Sequence, residues 1–282
     1  MRDLVILMLI TIALAWCADH VAFGPVKHNR RQRLIVCTVV IIILLAGFAG
    51  LRTRCNDTVT YRYSYKLLTE KLWEASDKSI GSNPLFNWVN YRLKMHGVST
   101  QNFLMFWAFL TVGCYFIFVH KYSVNYPLTI FLLFVTGCYT FAFAGIKQAA
   151  AVGISVIATM FALKKKWLLF AVGILIATLI HPYSLMYLAV PFMTFKPWTK
   201  ITYWMLAAFI AAGFLLRPLL GTVVNITTLL GEEYTVSSFT GDGVNMFRVL
   251  VCNVPMVLSF LYRKKLFADS SEAENLAMNL TM

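Results

Sequence analysis

Long apolar runs recur along the chain, near Leu4–Ala18, Leu34–Gly50, Phe103–His120, Pro127–Phe143, Gln148–Leu163, Ile201–Leu216 and Phe247–Tyr262. Each is close to the roughly 17–25 residues that a helix needs to cross a hydrocarbon core of about 30 Å. A further stretch, Trp167–Phe195, is apolar over about 29 residues but is interrupted by His181-Pro182. As one straight helix it would measure about 43 Å, too long for a single span. The residue before a proline resists the helical conformation, and proline suits the first turn of the helix that follows. The interruption therefore predicts a hairpin of two short helices with His181 at its tip. The alternative, one long kinked span, would invert everything downstream. The pattern as a whole predicts an all-α, polytopic membrane bundle of about nine membrane-crossing helices, with short broken or re-entrant segments.

Between the second and third runs lies a larger, more polar loop, 51–102. Within it, "SNPLFNWVNYRLKMHG" starts with Asn83 as a helix cap and Pro84 at the first helical position. Leu85, Trp88, Val89 and Leu93 then share one face, which predicts an amphipathic helix lying on the membrane or covering a cavity. "YKLLTEKLWEAS" just before it reads as another short amphipathic helix. The chain divides into a single membrane domain, 1–267, and a polar tail, 268–282.

Composition agrees with this pattern. Hydrophobic residues make up 59% and charged residues only 13% of the chain, and the mean hydropathy is +0.70; a soluble domain carries nearly twice that charge. The net charge of +13 would point to nucleic acid in a soluble protein. Here the basic residues cluster between apolar runs and are better read as topology, with no nucleic-acid partner. Lys121, Lys164-Lys165-Lys166, Lys196 with Lys200, and Arg263-Lys264-Lys265 fall on the cytoplasmic side, the N-terminus and the 51–102 loop on the outer side, and the tail in the cytoplasm. The six cysteines show no C-x-x-C pair and no metal-type spacing, and read as small core residues. No phosphate-loop, dinucleotide or zinc-protease motif is present, and neither a metal nor a cofactor is expected.

Three outer-side helix starts carry a basic or titratable group: Lys147, His181 and Arg248. A cation is electrostatically misplaced at a helix N-terminus unless an anion binds between it and the free N–H groups. This predicts an outer-side phosphate-binding cavity. The bland alternatives are that Lys147 and Arg248 reach to lipid headgroups, and that His181 is a satisfied core histidine. In "GLRTRCNDTVTYRYSY", Arg52, Arg54 and Arg62 surround Asp57, with Tyr61, Tyr63 and Tyr65 interleaved. The arginines can grip phosphate oxygens, and Asp57 can act as a base or an orienting carboxylate. An interfacial belt of Arg and Tyr is the alternative.

Five pieces, taken in order, carry a resemblance: "GLRTRCNDTVTY", "NPLFNWVNYRL", "FAGIKQAAAVGISVIATMFALKKK", "ATLIHPYSLMYLAVPF" and "GDGVNMFRVLVCNVPMVLSFLYRKKL". From about Ile35 to Phe267 the chain resembles the EpsG family, Wzy-like membrane polymerases of bacterial exopolysaccharide and capsule. The family pattern reads Arg-Gln where this chain has Lys147-Gln148. It reads His-x-Ser where this chain has His181 and, one place later, Ser184. Family members continue with further spans, so the chain reads as a short or C-terminally truncated member. The resemblance implies a glycosyltransferase-type polymerase in the bacterial cytoplasmic membrane, active on the extracytoplasmic side. Its donor would be an oligosaccharide on undecaprenyl diphosphate, and its partners the bilayer and the flippase and chain-length regulator of the same pathway. Carried onto this chain, it implies His181 and Asp57 as catalytic groups, with His181 preferred as base and Asp57 as its electrostatic partner. Arg52, Lys147, Gln148, Arg248, Tyr61 and Ser184 would bind substrate. A transporter or flippase for lipid-linked sugars, or a non-catalytic subunit of an assembly complex, would also use a basic, aromatic cavity.

Overall fold

The structure is a computed structural model, which describes residues 2–20, 30–55, 57–69, 83–229 and 246–281. Its regular elements are all helices: α1 Arg2–His20, α2 Arg30–Gly50, α3 Thr58–Leu67, α4 Pro84–Met95, α5 Thr100–Tyr122, α6 Tyr126–Val135, α7 Cys138–Ala144, α8 Ile146–Leu163, α9 Trp167–Ile180, a 3-10 helix Pro182–Met193, α10 Lys200–Leu229, α11 Met246–Leu261, α12 Arg263–Leu266 and α13 Glu272–Thr281. The chain folds as two compact units, Met1–Phe161 with Trp167–Leu185, and Ala162–Lys166 with Met186–Met282.

In the first unit, local chemistry starts the helices where the sequence places it. Ser99 caps α5, its Oγ accepting from the Asn102 N–H at 3.2 Å, and Asn125 caps α6 by accepting from the Leu128 N–H at 3.0 Å. Pro127 lies in the first turn of α6, where its missing N–H costs nothing. Gly137, with φ +82°, turns the chain between α6 and α7, a conformation a side chain would oppose. The run read as one span, Pro127–Phe143, is therefore two helices bent by 44°.

One core of this unit joins α1, α2 and α5–α7 through Leu7, Ile41, Leu45, Val112, Phe116, Ile130 and neighbours. Its buried polar groups are satisfied: Thr38 and Tyr126 share a 2.7 Å hydrogen bond, and the Tyr139 hydroxyl donates to the Leu45 carbonyl at 2.8 Å. A second core joins α3, α4, α5, α8 and α9 through Tyr65, Phe86, Phe103, Trp107, Ile146, Ala150, Ala177 and Ile180. Aromatic rings do most of the filling. Tyr65 stacks on Phe103 at 4.3 Å, Phe86 meets Trp107 at 4.8 Å, and the Trp107 indole N–H donates to Asn90 Oδ1 at 2.9 Å.

In the second unit, α10 is bent by 94° between Lys200–Leu215 and Leu219–Ile226. The Trp198 indole N–H donates to Ser259 Oγ at 3.0 Å. The stretch expected to be a polar tail forms α13. Its N-terminus is a reciprocal cap: Glu274 Oε2 accepts from the Ser271 backbone N–H and hydroxyl, both at 2.8 Å, and Ser271 Oγ accepts from the Glu274 N–H at 3.3 Å. Leu276 is buried, and the Asn279 amide donates to the carbonyls of Met193 and Phe195 at 2.8 and 2.7 Å.

Three expectations change. Among the described residues, three helices (α1, α5 and α8) are long and apolar enough to cross a membrane, or up to five if each bent pair is one span, against the nine expected. Runs that read as spans are divided or short; α9 has 14 residues, about 21 Å of helix. The break at His181-Pro182 falls where expected, since α9 ends at Ile180, but the second arm is a 3-10 helix. Pro191 inside it works against an α-helix. Finally, α4 buries Phe86 and Asn90, with Leu85, Val89 and Leu93 partly covered, while Trp88 is exposed. Leu85, Val89 and Leu93 share the face that meets the second core, as expected, but Phe86 is buried with them and Trp88 is not. The helix expected in "YKLLTEKLWEAS" lies mostly outside the described residues; Tyr65–Leu67 is the end of α3.

Candidate functional site

Ile180 closes α9 inside the second core, so the next residue, His181, leaves the helix still buried. The imidazole is 4% exposed. Its Nδ1 lies 3.4 Å from Asn83 Oδ1, and its ring meets the edge of Tyr183 at 5.0 Å. The partner comes from a residue 98 positions earlier, in front of α4. Asn83 stands where a helix cap belongs, but its side chain makes no capping bond to α4. Ser184 is also buried, and its backbone N–H donates to the His181 carbonyl at 3.1 Å.

Ile146 enters the same core from α8, which sets Lys147 and Gln148 at the rim, both half-buried. Gln148 Oε1 is buried without a hydrogen-bond partner. A Cβ at Gly145 would overlap the Gln148 carboxamide, so the glycine is what lets this side chain fold back over the start of α8. Tyr61 joins the core from α3, edge-on to Phe86 at 5.9 Å. His181, Ser184, Lys147, Gln148 and Tyr61 thus all belong to, or directly adjoin, elements of one aromatic cluster.

Arg52 is held differently from the expectation. Its Nε donates to Thr58 Oγ1 at 2.9 Å, its Nη1 donates to the Ala49 carbonyl, and the guanidinium lies 5.7 Å from the centre of the Phe143 ring. Gln101 donates to the Gly50 carbonyl, and Arg62 donates to Gln101 Oε1 at 3.0 Å. The bonds to Ala49 and Gly50 satisfy carbonyls that the end of α2 leaves open. Two of the five guanidinium donors of Arg52 are spent, one on the Ala49 carbonyl and one on the Thr58 hydroxyl. Burial pulls its pKa down, while Cys55, Tyr139 and Tyr61 oppose that effect. Asp57 is exposed and directly precedes α3. Among the described residues it forms no ion pair with Arg52, Arg54 or Arg62. Arg248 lies in the first turn of α11, in the second unit, and its side chain is outside the described residues.

A family model described as the EpsG family matches residues 35–282, a stretch that includes every candidate site residue named above. The chain belongs to the EpsG family. No curated protein and no solved structure matches it. As an EpsG protein it takes a polysaccharide-polymerase-like role in exopolysaccharide biosynthesis, and its long apolar helices agree with an integral membrane protein. Sequence reasoning missed two residues that contact the candidate groups of this EpsG protein, Asn83 beside His181 and Gln101 beside Arg62. Asn83 looked like an ordinary cap, because "NP" before a helical pattern says nothing about a histidine 98 residues away. Gln101, within the first turn of α5, carried no local signal at all.

Proposed function

We propose that this EpsG protein joins oligosaccharide repeat units carried on a polyprenyl diphosphate, such as undecaprenyl diphosphate, on the extracytoplasmic side of the cytoplasmic membrane. The observation that supports the reading best is the buried His181, held against a polar partner at the break after α9, with Lys147 and Tyr61 on elements of the same core. An intramembrane ionisable group without a functional role is costly. In the reaction, an acceptor sugar hydroxyl attacks the anomeric carbon of the donor. The new C–O bond forms as the bond to phosphate breaks, and lipid diphosphate leaves with the electron pair. His181 takes the hydroxyl proton, because a neutral imidazole is a base near neutral pH. Lys147 offsets the charge that grows on the diphosphate. Gln148, Ser184 and Tyr61 bind sugar hydroxyls or rings, Arg52 supplies its remaining donors, and Asp57 contributes at longer range.

The test is the polymer length distribution made by strains expressing equal amounts of wild type and His181→Ala. The variant is expected to insert normally and to make no long polymer. Full-length polymer from it would remove the histidine from the mechanism.

A further inference from the structure

We propose that Asn83 is a positioning residue for His181: its carboxamide oxygen accepts the Nδ1–H, so that Nε2 carries the lone pair that takes the acceptor proton. The inference rests on the reading of His181 as base and goes beyond it by assigning the tautomer and the residue that sets it.

Three observations carry it. Asn83 occupies the capping position of α4 but makes no capping bond, so its side chain is not committed to the helix it precedes. Both side chains are buried, Asn83 at 8% and His181 at 4% exposed, and Asn83 Oδ1 lies 3.4 Å from Nδ1. Both backbones are also anchored. The His181 N–H donates to the Ala177 carbonyl at 2.8 Å, and the Asn83 carbonyl accepts the Asn87 N–H at 3.0 Å. Two anchored residues, one just before α4 and one just after α9, which pack together, hold the ring in one orientation. In neutral imidazole one nitrogen donates and the other accepts, and the bond made by the first decides the role of the second. With Nδ1 donating to an amide oxygen, Nε2 is the basic atom. Proton transfer then leaves an imidazolium whose Nδ1–H bond to Asn83 strengthens as the charge forms. The other ionisable groups on elements of this core are Tyr183 beside the ring, Tyr61, Arg62, Tyr63, Tyr65 and Lys66 on α3, Tyr91, Arg92 and Lys94 on α4, Cys114, Tyr115, His120, Lys121 and Tyr122 in the second half of α5, and Lys147 on α8.

The experiment uses the full chain in proteoliposomes. Its substrate is the lipid-linked repeat unit extracted from a source strain lacking this gene, and turnover is measured against pH. Asn83→Ala is expected to lower turnover about ten- to a hundredfold through misplacement of the base, with little change in KM. Asn83→Asp keeps an acceptor oxygen and is expected to keep most of the turnover at high pH. A carboxylate opposite Nδ1–H favours the imidazolium, so the neutral base appears later and the acid limb of the profile moves to higher pH. A merely structural asparagine would not move that limb. If Asn83→Ala fails to elute as a single folded species, the limb of Asn83→Asp decides alone. Wild-type pH profiles in both variants, with His181→Ala inactive, overturn the inference and leave the base intact. Activity in His181→Ala overturns the base assignment itself, and this inference with it.

Discussion

At the scale of single residues, several polar side chains in this protein are tied to partners on other elements. Trp107 and Asn90 show what such a tie contributes to stability. Their hydrogen bond lies within the aromatic core that also carries Ile146 and Ile180, the neighbours of Lys147 and His181. Trp107→Phe keeps an aromatic ring but leaves Asn90 Oδ1 buried without its donor, which costs about 1–3 kcal/mol. The expected result is a lower midpoint of thermal unfolding in detergent, with the insertion level unchanged; an unshifted midpoint would mean that the bond is replaced by another donor. Arg52 illustrates the opposite case. A residue chosen for phosphate recognition is found closing the end of α2, so its part in binding is limited to the donors that this role leaves over.

At the scale of elements, the last helix offers a pH test that does not depend on the site. The two hydrogen bonds from Ser271 hold the Glu274 carboxyl below its ordinary value of 4.5. A carboxyl with a lowered folded pKa stabilises the helix above the unfolded value, and that contribution is lost as pH falls through the lowered one. Hydrogen exchange over 272–281 should therefore be steady between pH 5 and 7, corrected for intrinsic rates, and quicken under stronger acid. Glu274→Gln, which keeps an acceptor but not the charge, should remove most of the acid dependence. Equal acid sensitivity in that variant would place the titrating group elsewhere. The break between α9 and the 3-10 helix is the other informative element. It was legible because Pro182 acts on its immediate neighbour, whereas the 3-10 geometry of the second arm follows from packing over a whole segment.

At the scale of the whole molecule, orientation in the membrane is the property that the proposed chemistry needs most, since a lipid-diphosphate donor meets the site only from the outer side in this reading. The loop carrying Cys55 is expected outside, and the loop carrying Lys165 inside. Both residues are exposed. A variant that keeps only Cys55 of the native cysteines should react with an impermeant thiol reagent on intact cells. Lys165→Cys, in a background without the native cysteines, should react only after the membrane is permeabilised. The reverse pattern would invert the topology and place the His181 turn on the cytoplasmic side.

The helical class, the lengths of the apolar runs and the position of the interruption were present in the sequence because each is set by consecutive residues, and the family resemblance because it lies in the order of short pieces along the chain. The pairing of Asn83 with His181, the capture of Arg52 and Gln101 by the end of α2, the inward turn of Phe86 and Asn90, and the division of apparent spans into shorter helices were not. They depend on which helix faces which, and a hydrophobic pattern records only that a face is apolar. The identity of the neighbour that meets it arises from packing between segments far apart in the chain, and that is where the partner of the proposed base is chosen.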